Sequence, residues 1–318
     1  MAEWLYEAGI GEARAALVED GAIVAARIEV VGLRSGTVAD GRLTEIVTPG
    51  AIARVTLDGG EIALLQPVPR SLTQGARVRV RVVRETIAER GAMRPPRVVV
   101  VEDAALAGGP DLLARVTASD VPVRRCLPHQ SDMLEAAGWS EVLEEARSGE
   151  IGFEGGALRM SVTPAMTLFD VDGPPPLEAL AVASAGAVAR AIVRHDVGGS
   201  IGIDFPTLSG KAARAAVAEA IDAALPLPFD RTAMNGFGFL QIIRRRERAS
   251  LPELIAGDPV GAAARAAMRA IERVPPPHVR PHIVSQAVAR RIAAQPDWLE
   301  ELARRMGAAP VIEARQDT

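Results

Sequence analysis

The sequence predicts an α/β chain that carries a small all-β barrel in its first third and a small α/β module near its C-terminus. Three observations predict it. Short β-rich runs crowd residues 33–102, and strand, helix, strand, helix, strand alternate over residues 151–246. A second, shorter alternation follows the triple proline at 275–277. At 318 residues and 48% apolar, the chain can bury substantial cores. Aromatics are only 3%, so Ala, Val, Leu and Ile must fill them.

The first element expected is a hairpin, because residues 13–30 hold two apolar runs around Asp20-Gly21. The barrel follows from TEIVTPG, AIARVTLDG, EIALLQPV, ARVRVRVV and PRVVVVE, runs punctuated by Gly, Pro and Asp. In Arg77-Val78-Arg79-Val80-Arg81-Val82, period-two alternation puts valines on one face and arginines on the other. The valine face suits a barrel core. The arginine face suits either phosphate contact or the charge protection of an edge strand.

Helical stretches are expected at 110–116 and 131–148. Strands follow at 151–153, 157–163 and 166–171, turned at Gly155-Gly156 and Thr163-Pro164. Residues 177–194 read as a long alanine-rich helix, 200–205 as a buried strand, 211–225 as a helix and 239–246 as an extended run. In the tail, Asp258-Pro259 supplies an N-cap and a first-turn proline for a helix reaching about Val274. Short elements at 286–294, 296–306 and 310–314 complete the last module.

Net charge is −4, and the positive charge is arginine apart from Lys211. That balance alone argues against a nucleic-acid partner. Locally it reverses, since Arg70, Arg77, Arg79, Arg81, Arg84, Arg90, Arg94 and Arg97 are opposed over their span only by Glu85 and Glu89. No run of eighteen uncharged apolar residues occurs, so no membrane partner is expected. Residues 1–10 carry Glu3 and Glu7 and no basic stretch, which is not the pattern of a secretory signal. The single Cys126 excludes an intrachain disulfide framework and a cysteine-clustered zinc site. A cytoplasmic setting is the expectation.

The candidate chemistry lies in Phe169-Asp170-Val171-Asp172-Gly173, ending one strand, and Ile203-Asp204-Phe205, ending another, with one helix between. A strand–helix–strand crossover makes its strands parallel neighbours or near neighbours. Asp170 and Asp204 are then expected at the carboxyl ends of adjacent strands, where open α/β sheets bind ligands. Alternation sends Asp172 to the same side as Asp170. Converging carboxylates require neutralisation, and a hard cation such as Mg²⁺ suits them, with Mn²⁺ as the alternative. Strand-end aspartates that merely cap turns would read the same way singly; the pair inside apolar strands favours a site. Cys126 with His129, and His278 with His282, read as structural, as do Trp4, Tyr6, Trp139 and Trp298.

Residues 157–205 resemble the catalytic core of the ribonuclease E/G family, which has a strand ending in Asp, Ile or Val, then Asn, followed by a Leu-Glu-Ala helix, R-D-L-G-G and I-V-I-D-F. Here the second segment stands as Arg194-His195-Asp196-Val197-Gly198-Gly199-Ser200-Ile201-Gly202-Ile203-Asp204-Phe205, continuing into Phe237-Gly238-Phe239-Leu240. The resemblance implies a ribonuclease H-like catalytic domain, with residues 1–32 as its first hairpin and 103–247 as its core. It implies an inserted OB-fold over 33–102 and a small C-terminal α/β domain over 256–316. The two metal-binding, catalytic aspartates of the family fall on Asp170 and Asp204, with Asp172 where the family has asparagine. The implied reaction is metal-assisted hydrolysis of single-stranded RNA to 5′-phosphate ends, and the family's basic residue near the cut phosphodiester falls on Arg90; the basic run itself offers Arg77, Arg79, Arg81 and Arg84 as further RNA-binding candidates. Several family features are missing. The zinc-link cysteine pair is absent, so no zinc is expected and a homodimer would form without it. The R-T-A-G-V-G sensor segment is absent, and residues 33–102 contain no Phe, Tyr or Trp on which bases could stack.

Two competing readings remain. One is an RNA-binding protein with a decayed active site. The other is a haloacid dehalogenase-type phosphatase using Asp170 as nucleophile and Asp172 as acid/base, since Leu168-Phe169-Asp170-Val171-Asp172-Gly173 matches that family's first motif. Against the second, the motif stands far from the N-terminus and runs into Pro174-Pro175-Pro176.

Overall fold

The computed structural model describes residues 1–89, 92–274 and 281–315; Arg90, His278 and the triple proline lie outside them. The chain opens with β1 (Glu3–Ala8), β2 (Glu12–Glu19) and β3 (Ala22–Val30). Next come β4 (Val38–Thr48), β5 (Ile52–Leu57), β6 (Ile62–Leu65), β7 (Arg77–Arg84), the ribbon β8 (Ile87–Glu89) and β9 (Ala92–Arg94), and β10 (Arg97–Val100). The segment that follows holds α1 (Leu112–Thr117), β11 (Val123–Arg125), α2 (Met133–Ala136) and α3 (Trp139–Ser148). Then β12 (Glu150–Phe153), β13 (Gly156–Val162) and β14 (Thr167–Asp172) lead through α4 (Leu177–Arg194) to β15 (Gly199–Asp204) and α5 (Lys211–Ala224). After β16 (Phe229–Arg231) and β17 (Phe239–Arg244), the chain ends with α6 (Leu251–Gly257), α7 (Pro259–Glu272), β18 (His282–Val284), α8 (Gln286–Ala293), α9 (Pro296–Met306) and β19 (Ile312–Ala314). No helix of the described residues is long and apolar enough to cross a membrane.

Two compact units result. One comprises Met1–Val31, Leu112–Ser140 and Leu254–Thr318; the other comprises Gly32–Asp111 and Glu141–Glu253. In the first, β1–β3 form a four-stranded sheet in the order β11-β1-β2-β3. The Asp20-Gly21 turn has φ of 50° and 83°, the left-handed pair a tight hairpin needs. The opening hairpin thus pairs with β11 and with none of the aspartate-bearing strands, although the resemblance had placed it in their domain. The C-terminal helices belong to this same unit, where Ile10 packs with Ala264, Met268, Ile292 and Leu302. Asp258 caps α7 by accepting from the Gly261 amide at 2.9 Å, as its sequence predicts.

This unit also buries charge. Glu7 is fully buried and accepts from Arg14 at 3.1 and 3.3 Å and from Arg273. Asp132 accepts from Arg14 at 2.7 Å, and Glu12 accepts from Arg265 at 2.9 Å and from Arg269. Arg14 lies over the buried Trp139 ring, 5.2 Å from its centre.

In the second unit, β10, β6, β5, β4 and β7 close into a five-stranded barrel. Val78, Val80 and Val82 face its core with Leu43, Val55 and Leu65, while Arg77 and Arg81 are exposed. The alternation read from the sequence therefore holds. Gly41 lies within β4, not at a turn: a Cβ there would stand 2.7 Å from the Thr56 carbonyl and 2.9 Å from Val55 Cγ1 on β5. Gly41→Ala should cost about 1–3 kcal/mol in urea unfolding by overpacking this seam; an unchanged midpoint would mean that β4 and β5 lie farther apart.

The remaining strands form a six-stranded sheet in the order β12-β13-β14-β15-β17-β16. Its core includes Phe169, Ile201, Ile203, Leu240 and Ile242 with Ala185, Val188 and Ile192 of α4 and Val217 and Ile221 of α5. Alternation leaves the other edge-to-edge series, including Arg159, Asp170, Asp172 and Asp204, exposed on the opposite face.

Candidate functional site

Asp170 and Asp204 are direct register partners in the parallel pair β14·β15. Both are exposed, on the sheet face away from the α4–α5 core, with Cα atoms about 4.8 Å apart as neighbouring strands require. Among the described residues neither carboxylate has an ion-pair partner. The sequence places them there because each stands in the carboxyl-terminal half of an otherwise apolar strand, Asp204 at its end and Asp170 two residues short of it, and each follows a fully buried inward residue, Phe169 or Ile203. Arg159 of β13 is the register partner of Asp170 on its other side and is exposed on the same face. The row across the sheet therefore runs Glu150, Arg159, Asp170, Asp204, Phe239.

Asp172 is exposed on the same face, one pleat farther on. It does not join the pair in a tight group, since among the described residues no three His, Cys, Asp or Glu side chains cluster as a metal cage. Two adjacent carboxylates still fit Mg²⁺, which typically takes one or two and keeps water or phosphate oxygens elsewhere.

Sequence reasoning passed over a feature beside this pair. Asn235 Oδ1 accepts from the amides of Phe237 and Phe239, at 2.9 and 3.0 Å, folding a tight loop before β17. Gly238 docks that loop on the exit of β15: φ is +98°, and a Cβ would meet the Phe205 carbonyl oxygen at 2.2 Å. The Phe205 amide donates to the Gly238 carbonyl at 3.1 Å. Phe237 is left 85% exposed, two residues from the register partner of Asp204. The signal for this loop is the turn dipeptide Asn235-Gly236.

The arginines of the barrel divide into three kinds. Arg77 is bidentate to Asp58 at 2.9 and 3.0 Å, and Arg79 is bidentate to Asp40 at 2.8 and 3.0 Å. Arg79 also donates to the Ala104 carbonyl at 3.0 Å, and its hydrogen bond holds Asp40 below the ordinary carboxylate range. Arg81 is exposed at the middle of β7. Arg84 instead lines a cleft shared with Arg94, Arg97 and Arg244–Arg246. Burial, then the charges of Arg94, Arg97 and Arg246, push its guanidinium down to about 10. Arg90 lies outside the described residues.

Other candidates have structural roles. Cys126 is buried, and burial followed by the Glu7 charge raises its thiol pKa, the opposite of an activated nucleophile. His195 is buried at the end of α4, its Nε2 3.1 Å from Glu145. Trp4 and Trp139 are core residues, and Trp298 packs so closely on Gly11 that a Cβ would lie 2.2 Å from its indole ring. No protein-family model matches the chain and no curated protein matches its sequence, so what the site can do follows from its own residues.

Proposed function

We propose that this chain is a metal-dependent endoribonuclease of ribonuclease E/G type, hydrolysing phosphodiester bonds of single-stranded RNA to 5′-phosphate ends. The observation that carries the reading is the in-register pairing of Asp170 with Asp204 on one open sheet face. Asp170 and Asp204 would hold Mg²⁺, or Mn²⁺, with Asp172 near enough to engage through water. Such an ion lowers the pKa of a bound water and stabilises charge developing on the phosphoryl group. Arg159, beside Asp170, supplies a fixed cation for a non-bridging phosphate oxygen, and Phe237 offers a ring face for a neighbouring base. The six-stranded sheet, read as the ribonuclease H-like core, and the closed barrel, read as the OB-fold, support the reading. The decoupling of the first hairpin from that sheet departs from the family pattern.

The test is a time course of end-labelled single-stranded RNA with Mg²⁺, run beside EDTA, with p-nitrophenyl phosphate in parallel. Metal-dependent cuts bearing 5′-phosphates are expected. Binding without cutting would establish the decayed reading, and turnover of the small ester alone would establish a phosphatase.

Phe237→Ala provides a narrower check. The ring is exposed, so its loss should leave the melting temperature unchanged while weakening RNA binding by about 1–3 kcal/mol, the worth of one stacked base. Equal affinity in fluorescence anisotropy would remove Phe237 from the RNA path.

A further inference from the structure

The second unit holds a cleft of about 750 Å³ between the barrel and one end of the six-stranded sheet. Arg84, Arg94 and Arg97 line it from the barrel side; Arg244, Arg245 and Arg246 line it from the end of β17. Gln66, Pro67, Val83 and Val99 complete the walls, and among the described residues no carboxylate lines it. The junction is tied by the main chain, since the Glu85 amide donates to the Glu247 carbonyl at 2.7 Å.

Part of the charge is answered from outside the cleft. Glu89 pairs with Arg94 at 2.7 Å, Glu247 with Arg245 at 2.8 Å, and Glu253 with Arg246. Arg84 and Arg97 have no carboxylate partner among the described residues; Arg84 donates to the Pro95 carbonyl at 2.8 Å. The Nε groups of Arg84, Arg97 and Arg246 are buried without a hydrogen-bond acceptor. Buried donors without acceptors are costly, and guanidinium forks match phosphate oxygens in geometry as well as charge. Burial first, and then the neighbouring arginine charges, lower the Arg84 pKa.

This place is not the aspartate pair. Gly199 is the register partner of Arg244 and Asp204 that of Phe239, so five residues of β15, roughly 17 Å, separate the two levels. We propose that the arginine cleft is a second site, which binds two or more linked phosphate groups, supplied by an RNA backbone or by a free oligophosphate. It is too large for one phosphate, and its donors come from two directions, as a chain of phosphates would require. The proposal does not depend on the aspartates being catalytic.

The experiment uses the full chain in EDTA, where no metal-dependent cutting can occur. Labelled oligouridylate and inorganic tripolyphosphate are titrated against wild type, Arg84→Gln, Arg97→Gln and Arg245→Gln. Tripolyphosphate should raise the wild-type melting temperature. Arg84→Gln and Arg97→Gln should each weaken binding at least about tenfold, with the salt slope reduced by about 1 per arginine lost. Arg84→Gln should not lower the melting temperature of the ligand-free protein, because it removes a repelled cation. Arg245 is largely exposed, so its variant keeps the fold and should show a smaller loss. Oligouridylate that is displaced by tripolyphosphate and weakened by the variants assigns the cleft to RNA; loss confined to tripolyphosphate assigns it to a free oligophosphate. No tripolyphosphate binding, or wild-type affinity in all three variants, overturns the proposal.

Discussion

Asp204→Asn should reduce Mg²⁺-dependent RNA cleavage at least about a hundredfold while leaving the fold intact. A ligand that contacts the ion directly should cost no less than the 10–100-fold typical of the groups that merely orient ligands. Asp170→Asn should do the same, and the double variant should be little worse than either, because residues acting as one unit lose activity together. The fold should survive since both side chains are exposed and the inward packing rests on Phe169 and Ile203. A second readout separates metal loss from other damage. Mg²⁺ should raise the melting temperature of the wild type and not of Asp204→Asn. Cleavage at the wild-type rate by the variant would remove the aspartate pair from the chemistry.

The largest stability effect is expected in the first unit. Glu7→Ala should cost about 3–5 kcal/mol, because it takes away the fully buried one of the two carboxylates that Arg14 and Arg273 share and leaves Asp132 alone against both guanidinium groups. Glu144→Ala, at an exposed pair on α3, should change stability by less than about 0.5 kcal/mol. Urea unfolding of the two variants makes the comparison, and a Glu7 loss as small as that of Glu144 would mean that water reaches the network. The same network sets an acid limit. Burial opposes ionisation of Asp132, but the Arg14 hydrogen bond and charge, the Glu135 amide and the Arg273 charge hold its pKa below the ordinary range. A carboxyl so depressed stabilises the fold above its unfolded pKa, and that contribution disappears as pH falls through the folded value. Stability of this unit should therefore decline below about pH 4.

Local chemistry made much of both units legible. The Asp20-Gly21 turn and the α7 cap of the first unit, and the valine–arginine alternation of β7 and the two aspartate-ended strands of the second, all depend on neighbours a few residues away. What escaped depends on distant neighbours. Asp40-Gly41 sits inside β4, where Asp40 answers Arg79 and β5 comes too close for a side chain, a placement that no neighbour in sequence announces. The short polar strand β11 (Val123–Arg125) exists only because β1 accepts it in parallel. Arg77 and Arg79 belong to the basic run in sequence, but Asp58 in the β5–β6 turn and Asp40 on β4 neutralise them. The cleft draws instead on Arg244–Arg246, some 150 residues beyond the barrel's arginines.

The buried acids of the hairpin have a consequence for how the chain must be made. Glu7 pairs with Arg14 inside the hairpin, but its bond to Arg273 and the bonds of Glu12 to Arg265 and Arg269 reach more than 250 positions along the chain. During synthesis Glu12 emerges well before its α7 partners and stays hydrated until they are released. The entire second unit leaves the ribosome in the interval. The barrel and the large sheet can therefore settle early, whereas closure of the first unit waits for α7.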